Sequence, residues 1–190
     1  MEREHKFERM QVSIEKLNQS DFLTNQDKAS LVLVANGQRP AALIELQYQE
    51  NTPSYTRADF EQDSKHLESI LLDLGLSYTK KSSDDGESEY EIYYIGSNEP
   101  SMQALKVATE IVDTKEKDIA KGAALGIPKT AIDAFINNDI IPLTELPEGV
   151  AREFKLANFL PSKDHWQEEF EFVKTQNEAL AKMAPQLLSK

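Results

Sequence analysis

Apolar positions along this chain recur with two different periods, and the switches between them mark its elements. Phe7, Met10, Ile14 and Leu17 are spaced three and four apart, which sets them on one face of a helix over residues 6–18. Ser20 or Asp21 interrupts that stripe and stands where a cap for the next element belongs. Residues 25–36 predict a second helix, with Ala29, Leu31, Val32, Leu33 and Val34 as its apolar body and Gly37 as its stop. Its β-branched residues would also suit a strand; the polar start Asn25-Gln-Asp-Lys and the Asn36-Gly37 exit favour the helix. After Arg39-Pro40 the period falls to two: Ile44, Leu46 and Tyr48 alternate with Glu45 and Gln47, predicting a strand over 42–48. Asn51-Thr-Pro-Ser is a loop. Phe60, Leu67, Ile70, Leu71 and Leu74 then form the stripe of a helix over 57–74 that Gly75 ends.

Residues 76–81 and 89–95 predict a β-hairpin around an Asp85-Gly86 turn of type I′. That turn would set Leu76 opposite Ile95, Tyr78 opposite Tyr93 and Lys80 opposite Glu91, an apolar, an aromatic and a charged pair worth roughly 0.2–1 kcal/mol each. Asn98-Glu-Pro-Ser opens a helix over 99–113, with Pro100 in its first turn and Met102, Leu105, Ala108 and Val112 inward. Residues 140–150 hold two prolines and a glycine and read as a linker packed on the body, followed by a short helical turn over 151–157. Ser162 is placed to cap a last helix, with Asp164 in its first turn. Trp166, Phe170, Val173, Asn177, Leu180, Ala184 and Leu187 repeat at spacings of four and three, a heptad seam with one polar position, and Pro185 should end or kink the helix.

These elements predict an α+β fold. A small three-stranded sheet containing the hairpin is covered by the helices at 57–74 and 99–113, and a helical C-terminal region follows. The 190 residues are expected to form a single domain, with its α/β core at about 38–113 and the helical part at about 114–190.

Composition narrows the partners. The net charge of −12 repels phosphate backbones and anionic membranes, so nucleic acid is not the default partner. The chain has no cysteine, which removes disulfides, thiolate catalysis and Cys-based zinc sites and is compatible with the cytoplasm. The charged start, residues 1–9, lacks the apolar core of a signal peptide, and the longest apolar runs, such as 31–35, are too short to span a bilayer.

One stretch has motif-like spacing. In Asp118–Asn137, Gly122 lies four residues before Gly126 and Ile132 six after it, Leu125, Ile127 and Phe135 fill further core positions, and Pro128 opens a second helix. This segment resembles the helix-turn-helix of bacterial and archaeal transcription regulators over about 20 of the 190 residues. The resemblance implies DNA contact through Lys121, Lys129 and Thr130. It departs from the pattern at Gly122, where glycine costs a helix about 1 kcal/mol relative to alanine. It departs again at residues 129–139, the would-be recognition helix, which carries one lysine, two aspartates and no arginine and offers little to phosphates.

Other chemistry is sparse. The acidic hairpin tip, residues 84–89, lacks the spacing of a calcium loop. His5, His66 and His165 are far apart in sequence, and no phosphate-binding loop or nucleophile elbow is present. No cofactor is expected, and the balance leans away from an enzyme. The expected function is a soluble, cytoplasmic, non-enzymatic interaction or regulatory protein. Its partner or second copy would meet the terminal helices at Trp166, Phe170, Val173, Asn177 and Leu180, where one polar seam residue is suited to fixing a register. The alternatives are a DNA-binding regulator using 118–137 and an acidic inhibitor that mimics nucleic acid.

Overall fold

The computed structural model describes residues 2–188 except 51, 53 and 85–87, with side chains from Met10 onward. The Phe7 and His5 side chains and the Asp85-Gly86 turn lie outside the described residues. The fold is α+β. In chain order it runs α1 (Glu2–Gln19), α2 (Asn25–Ala35), β1 (Ala41–Gln49), α3 (Arg57–Asp73), β2 (Ser77–Asp84), β3 (Ser88–Gly96), α4 (Glu99–Glu110), α5 (Thr114–Ala124), α6 (Lys129–Ile136), α7 (Glu148–Glu153) and α8 (Trp166–Met183). No described helix is long and apolar enough to cross a membrane.

Local chemistry starts the helices. Thr24 and Asp27 form a capping box on α2, and Thr56 and Asp59 form another on α3: each hydroxyl accepts the N–H three residues on, and each carboxylate accepts the threonine N–H. The start of α2 is therefore set by Thr24 rather than by Ser20 or Asp21. The Asp59 carboxyl is held below the usual carboxylate range by its hydrogen bonds from Thr56.

The sheet order is β1-β3-β2, all antiparallel neighbours. Two helical layers enclose it. On one face Ile44, Leu46, Tyr93 and Ile95 meet Ile14, Leu17, Leu31, Phe60, Leu67 and Ile70 from α1, α2 and α3. On the other, Ala41 and Tyr94 pack on Met102 and Leu105 of α4, with Ala124 and Leu125 at the edge. The expected covering helices thus lie on opposite sides of β3.

The hairpin register is two residues from the expected one. Tyr78 pairs with Ile95, Lys80 with Tyr93 and Ser82 with Glu91. A period-two pattern cannot separate registers that differ by two, because every side chain keeps its face. The charge pair survives diagonally, with Lys80 Nζ 2.8 Å from Glu91 Oε1. It belongs to a closed ring: Lys80 also donates to Ser64 Oγ (3.2 Å), Ser64 and Tyr93 share a 2.8 Å hydrogen bond, and Tyr93 donates to Glu91 Oε2 (2.8 Å). Glu68 adds a second carboxylate 2.9 Å from Lys80. This ring clamps α3 to the sheet.

Helix α4 ends three residues early. Ile111 is extended (ψ 133°), and the Asp113 side chain accepts the Glu116 N–H at 2.8 Å to start α5. Val112, expected inward, is left 96 % exposed between the two helices. At the far end, α8 bridges two cores: Leu180 and Met183, together with Ala184 and Leu187 just beyond its end, join the main core, while Val173 packs with Leu146, Phe154 and Ala157 in a third cluster. Ser162 does not cap α8 directly, since His165 holds that position, but its hydroxyl accepts the His165 N–H and donates to buried Glu169. Buried Arg39 ties the start of β1 to two helices, donating to Gln176 Oε1 at 2.7 and 3.1 Å and to Ser30 Oγ at 3.0 Å; its burial lowers its pKa to about 10.

Candidate functional site

The Asp118–Asn137 stretch folds as a two-helix corner. Leu125 caps α5, Gly126 takes φ 73°, and the Ile127 and Gly126 N–H groups bond back to Gly122 O and Ala123 O at 3.0 Å, the paired closure of a Schellman turn. Pro128 is the N-cap of α6 rather than its first helical residue. Two glycines allow close approach. A Cβ on Gly122 would fall 2.8 Å from Ile132 Cγ1, so glycine is what lets α6 lie flush on α5. A Cβ on Gly126 would fall 2.6 Å from Pro40 Cδ, which seats the corner on the segment entering β1.

The outer side of this corner faces residues 157–160 across a cleft of 440 Å³. Leu125, Ile127, Ile132 and Phe135 line one wall, Ala157, Phe159 and Leu160 the other. Gln26 Nε2 donates to Ala157 O at 2.6 Å and fixes the second wall to α2. Phe135, expected in the core, is 60 % exposed, because the short α6 buries Ala131, Ile132 and Ala134 and leaves the next position at the lip. Leu160, 43 % exposed, stands on the opposite wall. Among the described residues Asp118 and Lys121 are the only charged ones lining the cleft, and neither has an ion-pair partner there.

The candidate DNA-contacting residues are divided. Lys121 is half-buried in the cleft wall, whereas Lys129 is exposed on α6 and ion-paired with Asp133 one turn on. Thr130 is partly exposed beside it. The seam residues of α8 are placed mostly inward. Val173, Asn177 and Leu180 are buried, and Trp166 and Phe170 are half-buried against the third cluster. Asn177 Nδ2 donates to Glu153 O (2.9 Å) and Glu153 Oε2 (2.7 Å), so the polar seam position sets the register of α7 on α8 within the chain.

The other polar cluster with chemical potential is the Lys80–Ser64–Tyr93–Glu91 ring. Burial works against the Lys80 ammonium, yet hydrogen bonds to Glu91 and Glu68 carry its pKa above the ordinary lysine value. Burial also pushes the Glu91 carboxyl up, but Lys80, Ser64 and Tyr93 outweigh it and hold the group below the usual range. Burial pushes the Tyr93 hydroxyl up. Each shift favours the charge state in which the ring's hydrogen bonds are made, so the four groups hold one another together as a clamp. Among the described residues no group of three or more His, Asp or Glu side chains could hold a metal ion. His66 packs on Phe22 with ring centroids 5.6 Å apart, and His165 Nδ1 lies 3.9 Å from Glu168 Oε2.

Periodicity could not reveal the cleft, since its walls come from segments far apart in sequence; the exposed Phe135 becomes visible only once α6 is known to end at Ile136. Comparison with protein-family models, with curated proteins and with solved structures finds no match to this chain.

Proposed function

We propose that this chain is a non-enzymatic interaction or regulatory protein that binds its partner through the cleft between the α5–α6 corner and residues 157–160. The observation that carries the reading is Phe135: a large aromatic ring, 60 % exposed at the lip of an apolar recess of 440 Å³. An exposed ring beside an apolar recess is the composition of an interaction surface rather than of ordinary solvated surface. The α8 seam contributes indirectly, because its buried half holds α7 and residues 157–160 in place. A cytoplasmic setting, compatible with the absence of cysteine, is part of the same reading.

The DNA-binding reading has the two-helix frame in its favour. Against it stand the Lys129–Asp133 ion pair and the net charge of −12, which leave α6 without a free cation for phosphate.

Site-specific photo-cross-linking tests the proposal. A photoreactive residue placed at position 135 in the producing cell is expected to give discrete protein adducts that the same residue at exposed position 72 does not. Equal labelling from both positions, or none from 135, contradicts it.

A further inference from the structure

We infer that the partner seated in this cleft is a second copy of the chain, paired about a two-fold axis; this rests on the cleft being the interaction site. A two-fold contact uses one patch twice, so that patch must carry both the projection and the recess that receives it. Here they are adjacent: Phe135 stands at the lip of the recess it would fill in the other copy.

The charges fit the same symmetry. Asp118 and Lys121 lie one turn apart on α5 and, among the described residues, are the only charges lining the cleft and have no ion-pair partner. When two α5 helices meet antiparallel about an axis between these positions, each Asp118 faces the other copy's Lys121, twice over. The lining carries no net charge, so the repulsion between two chains of −12 is not concentrated at the contact.

Sedimentation velocity over a concentration series at about 0.15 M salt tests the pairing with the full chain, its Phe135→Lys variant, Asp118→Lys, Lys121→Asp and the double Asp118→Lys/Lys121→Asp. The unaltered chain is expected to dimerise reversibly and Phe135→Lys to remain monomeric. Each single reversal sets like charges face to face at both symmetric positions and should weaken the dimer about tenfold or more, and the double reversal should restore it. A double reversal no tighter than the singles overturns the inference, as does a dimer indifferent to Phe135→Lys. A strictly monomeric chain overturns it too. In that case adducts to a different protein from a cross-linker at 135 leave the cleft reading standing, and the absence of any adduct removes both.

Discussion

Gly122 and Ile132 are in contact so close that no side chain fits between them: a Cβ on Gly122 would lie 2.8 Å from Ile132 Cγ1 and 2.9 Å from its Cδ1. Glycine inside a helix costs about 1 kcal/mol relative to alanine, and here the cost brings α6 against α5 and shapes one wall of the cleft. Gly122→Ala therefore sets a propensity gain of that size against overpacking of about 1–3 kcal/mol. Thermal unfolding should show a net loss of about 1 kcal/mol, and Ile132→Val in the same chain should recover part of it by removing Cδ1. A stabilised Gly122→Ala variant would contradict the close fit.

Lys80 is the hub of the ring under α3, and Glu91 beside it is almost fully buried. Lys80→Met strands that carboxylate. Because the Lys80 side chain is 34 % exposed, the expected loss is about 1–3 kcal/mol at neutral pH, below the range for a fully buried pair. The Glu91 pKa is depressed in the folded chain, so its stabilisation is present above the ordinary carboxylate pKa and fades as pH falls through the folded value. The Lys80 pKa is raised, so its contribution is complete below the ordinary lysine pKa and fades only in strong alkali. Urea unfolding should accordingly show a smaller Lys80→Met penalty at pH ~4 than at pH ~7, since the stranded carboxyl can protonate. An equal penalty at both would assign the loss to packing.

Asn177 donates twice to Glu153, once to its carbonyl and once to its carboxylate. Asn177→Ala leaves both acceptors without that donor and should cost about 1–3 kcal/mol in thermal unfolding. Light scattering should show no change in molar mass, because the interaction lies within the chain. Dissociation of an assembly on this substitution would make the α8 seam an interface after all.

Duplex DNA should not bind. Fluorescence anisotropy of a labelled duplex at low salt is expected to stay flat, with Lys129→Glu no different from the unaltered chain. Salt-sensitive binding that Lys129→Glu abolishes would favour the regulator reading instead.

The architecture was largely legible in the pattern of apolar residues. The stripe Phe60, Leu67, Ile70, Leu71 and the alternation Ile44, Leu46 placed α3 and β1 within a residue or two, and Gly126 placed the corner. What periodicity could not carry were features set by remote partners. The hairpin slipped by two because an even shift keeps each side chain on its face, and α4 stopped early because Asp113 captured the next helix. Phe135 looked like core because nothing near it in sequence announces that its neighbours across the corner, residues 157–160, stand off and leave a cleft.

The most direct measurement is a titration with the apolar dye anilinonaphthalene sulfonate. At protein concentrations well below those at which the chain pairs, so that the recess is open in each copy, the unaltered chain and a Leu72→Lys control should bind it with a blue-shifted rise in fluorescence, and Phe135→Lys should lose most of that signal at unchanged thermal stability. Dye binding that survives Phe135→Lys in full, or that is absent from the unaltered chain, would contradict an open apolar cleft at this site.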